Sequence, residues 1–300
     1  MNDVELLQEL QPTAEQLLER HLATSREWFP HELVPWSRGR DFVPGEPFDP
    51  SVAGLPEAVR SALLVNLLTE DNLPHYLRAI TARFGDESPW REWAYRWTAE
   101  EGRHAIVMRD YLTVTQSIDL HELERARMAQ VSCGAVPTPS SAPNGMVYVA
   151  LQELATRISH RNTGQLLDPA GREIMSRIAA DENQHHLFYR DLVSKALELD
   201  PSRMTAAIEH EVRHFAMPGA GIPGFKAHAK LIANAGVYNF ALHHRHILVP
   251  LILKHWRITY IEKLNSAAEQ ARDRLTAYID RMGLVAKRVA ARGPAVSAHA

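Results

Sequence analysis

Two Glu-x-x-His strings, Glu101–His104 and Glu182–His185, recur in matching surroundings and leave this chain few folds to choose from. Ala99-Glu100-Glu101-Gly102-Arg103-His104 lines up with Ala180-Asp181-Glu182-Asn183-Gln184-His185, and Arg-Asp follows five residues past each His (Arg109-Asp110, Arg190-Asp191). Each string also has a glutamate on the preceding long helical segment: Glu70 lies 31 residues before Glu101, and Glu153 lies 29 before Glu182. With 23 Glu and 16 His in 300 residues, chance alone gives about one such string, so a single string carries little weight. The third, Glu211–His214, lacks the repeated context and reads as the chance one.

On a helix, residues i and i+3 share a face, so each string presents one carboxylate and one imidazole to the same point. Two further helices add one carboxylate each. Glu70, Glu101, His104, Glu153, Glu182 and His185 thus form the ligand plan of di-iron and di-manganese carboxylate bundles. Four carboxylates balance two divalent ions, and hard oxygen with imidazole suits iron or manganese. The competing reading is a plain amphipathic bundle with solvated Glu and His. Ligating histidines hand their second N–H to a carboxylate, and Glu100 and Asp181, each just before a ligand Glu, can serve the opposite repeat's His. Pro74 deprives the Glu70 carbonyl of its helical partner, which predicts a bend or loosening at that ligand.

Apolar spacing predicts helices over 13–22, 56–84, 89–116, 120–130, 146–166, 170–199, 202–216, 225–249 and 262–291. Between them lie a Pro- and aromatic-rich arm over 26–54, a Pro-rich connection over 132–145 and a Gly/Pro break over 217–224. No alternating strand pattern is found. The expected fold is mainly α: a ferritin-like four-helix bundle with additional flanking helices. It is expected as one domain over 1–292, in which 1–54 form an N-terminal helix and wrapped arm, with a disordered tail from Gly293. A net charge of −3 without a basic stripe gives no sign of nucleic-acid binding. The longest apolar run, near Ile247–Leu253, is broken by Pro250 and too short for a membrane span. One cysteine, Cys133, allows no internal disulfide, and the acidic N-terminus has no signal-peptide plan, so the chain reads as soluble and cytoplasmic.

Four stretches resemble the soluble acyl-carrier-protein desaturases, of the plant stearoyl type and their actinobacterial relatives. They are Thr69–Tyr76, Glu100–His104, Leu151–Thr163 and Ala179–His185. The third, Leu-Gln-Glu-Leu-Ala-Thr-Arg-Ile-Ser-His-Arg-Asn-Thr, is the most specific, because generic di-iron bundles lack it. Trp36 with Asp41-Phe42, and Gly236-Val237-Tyr238, resemble further motifs, and coverage runs from about residue 10 to 285. The resemblance implies a homodimeric enzyme with two irons per subunit. Such an enzyme uses O2 and electrons from reduced ferredoxin to remove two hydrogens from an acyl chain carried on acyl carrier protein. It also implies that Thr156 stands beside the metals to assist oxygen activation, and that Trp36, His104 and Asp181 form an electron route. Without the resemblance, Thr156 reads as a helix threonine bonding back to a carbonyl, and Trp36 as packing.

Departures are Gly102 between two ligands, the doubled His185-His186, and the 242–257 segment with His243, His244, Arg245 and His246, read as a solvated face rather than a second metal site. Docking an acidic carrier needs basic charge, for which Arg157, Arg161, Lys226, Lys230, Arg245, Lys254 and Arg257 are candidates. Two other functions stay open: another di-iron oxygenase, such as a hydroxylase or N-oxygenase, and a metal-binding protein without turnover.

Overall fold

The computed structural model describes residues 1–50, 54–134 and 136–291, and no strand occurs among them; the expected tail over 293–300 lies outside the described residues. Helix α1 spans Asp3–Thr24, ten residues earlier than the expected start at Thr13. An Asn2–Glu5 capping box starts it, with reciprocal bonds of 2.9 Å. Pro12 sits on the exposed face, while Leu6, Leu10, Ala14, Leu17, Leu18 and His21 form one buried stripe. The arm follows, with α2 (Pro30–Leu33) and a turn at Trp36–Arg38, lying against two of the bundle helices.

The expected helix over 56–84 is two helices, α3 (Glu57–Glu70) and α4 (Leu73–Phe84). The break at Asp71–Asn72 falls where Pro74 removes the N–H that the Glu70 carbonyl would accept. Next come α5 (Trp90–Thr115), α6 (Leu120–Cys133), α7 (Ala142–Gly164) and α8 (Pro169–Leu199). Ser141 and Asp168 cap α7 and α8 from their side chains, and Pro169 fills the first turn of α8 where no N–H is missed. The bundle is α3/α4, α5, α7 and α8. Helix α1 lies against α8, and α9 (Pro201–His214) against α7.

Toward the C-terminus the expected helix over 225–249 is interrupted. Helix α10 (Phe225–Asn234) stops before Gly236, whose φ is 72°, and a short α11 (Phe240–His243) restarts on an Asn239 cap. The chain then continues through wider π-type turns over His244–His255 to α12 (Ser266–Ala291). His243 is buried, with Nδ1 2.7 Å from the Tyr238 hydroxyl, whereas Arg245 and His246 are exposed. No described helix is long and apolar enough to cross a membrane.

Two apolar cores frame the functional region. One holds Trp93, Trp97, Met146, Leu151, Phe188, Tyr189 and Leu192; the other holds Leu63, Leu67, Met108, Tyr111, Leu112, Ile174 and Ile178. Helix α5 runs from the first to the second, and α8 runs back. Both cross the gap between the cores at their Glu-x-x-His strings.

Candidate metal centre

All six residues expected to bind metal are buried. Their side-chain donors form two groups of four: Glu70, Glu101, His104 and Glu182, and Glu101, Glu153, Glu182 and His185. Each group holds three carboxylates and one imidazole. Glu101 and Glu182 belong to both, so they stand between the two positions, with Glu70/His104 at one end and Glu153/His185 at the other. His104 Nδ1 lies 3.2 Å from Glu101, 3.6 Å from Glu182 and 3.8 Å from Glu70. His185 Nδ1 lies 2.9 Å from Glu101 and 3.6 Å from Glu153. Glu211–His214 is not part of either group; Glu211 accepts from Asn144 at 2.6 Å.

Both ring Nε2 atoms point away, to the carboxylates expected for them. His104 Nε2 is 3.3 Å from Asp181, and His185 Nε2 is 2.8 Å from Glu100. Donating from Nε2 leaves the Nδ1 lone pair facing the cluster, the arrangement a metal-binding imidazole needs. Trp97 donates to Glu153 at 3.0 Å. Thr156 Oγ1 lies 3.0 Å from Glu182 Oε2 and 3.1 Å from the carbonyls of Gln152 and Glu153, so it makes the back-bond and touches the cluster.

The electrostatics are compatible with a metal site. Burial pushes Glu101 up to about 7, and the Glu182 and Glu70 carboxylates add to the rise. Burial and Glu182 likewise push Glu153 well above the usual carboxylate range. Burial opposes ionisation of Glu70 as well, but contacts from His104 and His160 hold it low. Burial would lower His104 and His185, yet the surrounding carboxylates raise both. Glu101 Oε1, Glu153 Oε2, Glu182 Oε1 and His185 Nδ1 are buried and make no hydrogen bond of acceptable geometry among the described residues, the 2.9 Å approach of His185 Nδ1 to Glu101 Oε1 included. Unpaired buried acceptors are costly, and all four face the cluster. The donor set and these orphaned atoms fit two hard divalent ions, whose charge the four carboxylates would balance.

One expected residue is elsewhere. Trp36 is 51% exposed, and its indole N–H donates to the His31 carbonyl at 2.7 Å rather than reaching the centre. Pro35 turns it onto the outside of the arm. Trp28 is the tryptophan at Asp181: it donates to that carboxylate at 3.0 Å and lies parallel to His104, ring centres 6.3 Å apart, under the Arg103 guanidinium.

Other residues were given no role on sequence. His160 Nε2 is 3.1 Å from Glu70 and 3.5 Å from Glu182, while its Nδ1 meets Asn66 at 3.3 Å. Glu70 and Glu182 raise His160 to about 9 against the effect of burial. His21 meets Glu100 at 2.9 Å. Trp97 is four residues before Glu101, Asn66 four before Glu70, and His160 seven past Glu153. That spacing places all three on ligand faces; His21 had no such signal.

Two largely apolar recesses flank the cluster. The larger is bordered by Glu70, Thr156, Ser159, Met217, Phe225 and Ile232. The smaller is bordered by Tyr76, Ile80, Phe84, Trp97, Tyr148 and Gln152.

Comparison with known proteins agrees with this geometry. A family model described as "Fatty acid desaturase" matches residues 2–299. DesA1 of Mycobacterium tuberculosis, which carries an acyl-[acyl-carrier-protein] desaturase name, is 41% identical over 290 residues, covering 93% of this chain and 86% of that protein. Acyl-[acyl-carrier-protein] desaturase 7, chloroplastic, of Oryza sativa subsp. indica is 31% identical over 296 residues, covering 90% and 72%. The X-ray structure of DesA2 from Mycobacterium tuberculosis H37Rv, titled as an acyl-ACP desaturase, superimposes with a TM-score of 0.72 at 27% identity, covering 89% of this chain and 99% of that one. The chain belongs to the fatty acid desaturase family.

Proposed function

We propose that this desaturase holds two irons on Glu70, Glu101, His104, Glu153, Glu182 and His185 and introduces a double bond into an acyl chain carried on acyl carrier protein. The observation that carries the reading is the pair of four-donor groups sharing Glu101 and Glu182 between two apolar recesses. Bound there, iron supplies the O2 and redox chemistry that an unactivated C–H bond requires. The balance is complete: two hydrogens leave the acyl chain as two electrons and two protons, and with two electrons from ferredoxin and two further protons they reduce O2 to two waters.

The chain's residues have separable tasks. Asp181 and Glu100 orient the two imidazoles through Nε2. Thr156, at the edge of the larger recess, offers a hydroxyl beside Glu182 through which a proton can be passed. Trp28, stacked on His104 and bonded to Asp181, links the surface to the centre for electrons. The apolar recesses exclude water from the acyl carbons. Helix α10 lines the larger recess with Phe225, Ala229 and Ile232 and exposes Lys226 and Lys230, which suits an acidic carrier presenting its acyl chain there. Arg161, exposed on α7 one turn past Arg157, adds a second basic locus. We place the protein in the reducing cytosol as a homodimer, consistent with its exposed free Cys133.

The test is a turnover with iron-loaded protein, reduced ferredoxin, O2 and stearoyl carrier protein, read by mass spectrometry. A product about 2 Da lighter supports desaturation; one about 16 Da heavier points to a hydroxylating relative. O2-independent recovery of unchanged substrate would refute both.

A further inference from the structure

Among the described residues, His21 is the one buried histidine beside the centre that stands outside the four-helix bundle. It projects from the last turn of α1 and is 3% exposed. Its Nε2 lies 2.9 Å from Glu100 Oε2, the same oxygen that His185 Nε2 reaches at 2.8 Å. The other oxygen, Oε1, accepts from Arg96 Nε at 2.6 Å. Trp93 meets the His21 ring edge-on at 5.0 Å, and the His185 ring lies 5.9 Å away, inclined by 26°. His21 Nδ1 is buried with no hydrogen-bond partner. A leucine in this apolar stripe would carry no such unpaired nitrogen, so packing does not account for an imidazole here. What the imidazole provides is the Nε2 contact to Glu100.

The two ends of the centre are supported differently. His104 rests on Asp181, which Trp28 and Arg103 also hold and which is 12% exposed at its side chain. His185 rests on Glu100, 4% exposed and held from below by α1. We propose that His21 is a positioning residue of the metal centre: through Glu100 it fixes the orientation of His185, which makes α1 part of one metal position and the two positions unequal. The assignment rests on the reading of the cluster as a two-metal centre.

The experiment is a titration of chelator-stripped protein with Co(II) under argon, following ligand-field absorption, together with thermal melts of the metal-free proteins. The parent takes up two ions. In His21→Leu, one of the two binds about 10–100-fold more weakly while the other is unchanged, and the metal-free melt does not fall. His21→Gln, which keeps an N–H within reach of Glu100, recovers most of the loss. The proposal is overturned if His21→Leu binds both ions as the parent does, or if both weaken equally along with a lower metal-free melt. A parent that takes up no Co(II), Fe(II) or Mn(II) would overturn the two-metal centre and this assignment with it.

Discussion

Replacing Glu101 by Gln should stabilise the metal-free protein and abolish its ability to hold two ions. Burial first, then the Glu182 and Glu70 carboxylates, raise Glu101 from 4.5 to about 7, already net of the attraction of His104. At 1.36 kcal/mol per pH unit that rise is worth about 3 kcal/mol. Because the folded value is raised, the contribution is complete below about 4.5 and is lost as pH climbs through 7. Glutamine does not titrate and nearly preserves the volume. Whatever the offset at pH 4.5, the variant's advantage should therefore grow by about 3 kcal/mol on reaching pH 8. In a protein of this size that is a rise in melting temperature of roughly 5 °C relative to the parent. The assay is thermal unfolding of chelator-stripped parent and Glu101→Gln between pH 4.5 and 8.5. Added Fe(II) or Mn(II) should reverse the order, since ions at about 100 times Kd stabilise the parent by about 2.7 kcal/mol per site. A gap that does not change with pH, or a metal-free parent that stays the more stable at pH 8, would refute the electrostatic account of the cluster.

Gly102→Ala should raise stability by about 0.5–1 kcal/mol without changing metal content, because the new Cβ meets only Leu73 Cδ2, at 3.9 Å; denaturant melts and metal analysis decide it. Trp28→Phe loses the N–H bonded to Asp181 and should slow reduction of the bound iron pair severalfold, read as bleaching of the ferric absorption, while Trp36→Phe stays near the parent. Phe188→Ala removes a fully buried ring stacked on Trp93 at 3.6 Å and should cost about 3–5 kcal/mol in urea unfolding; a loss below about 1 kcal/mol would deny the stack its place in the core.

Much of the clustering of these side chains was legible because its geometry is local. Glu-x-x-His on a helix fixes relative direction without knowledge of the fold, and the repeat supplied the two remaining glutamates. Glu100 and Asp181 were within reach by the same logic, being neighbours of ligands on known faces. His21 was not, since nothing in the sequence says which side of the bundle α1 covers, and Pro12 disguised where α1 begins. Trp36 drew attention through its motif-like setting, but whether Trp28 or Trp36 reaches Asp181 depends on how an irregular arm turns at Pro30 and Pro35. The discontinuities at Asp71–Asn72 and Gly236 separate equally. The first follows from the N–H missing at Pro74. The second, with the π-type turns after it, depends on packing against α7 and α12 that local spacing does not encode.

The placement of the centre between two apolar cores also bears on cooperativity. Each core coheres through its own side chains, but the layer joining them consists of mutually repelling carboxylates partly held in check by protons. Without metal, that layer is the weak point of the continuous helices α5 and α8 that cross it, so amide exchange around Leu63, Met108 and Ile178 should uncouple from exchange around Trp93, Phe188 and Leu192. Two cations held there, as proposed, would tie that layer together, and both cores would then open as one. Metal loading at the proposed centre would then do more than furnish chemistry: it would decide whether the two cores exchange as one unit or as two.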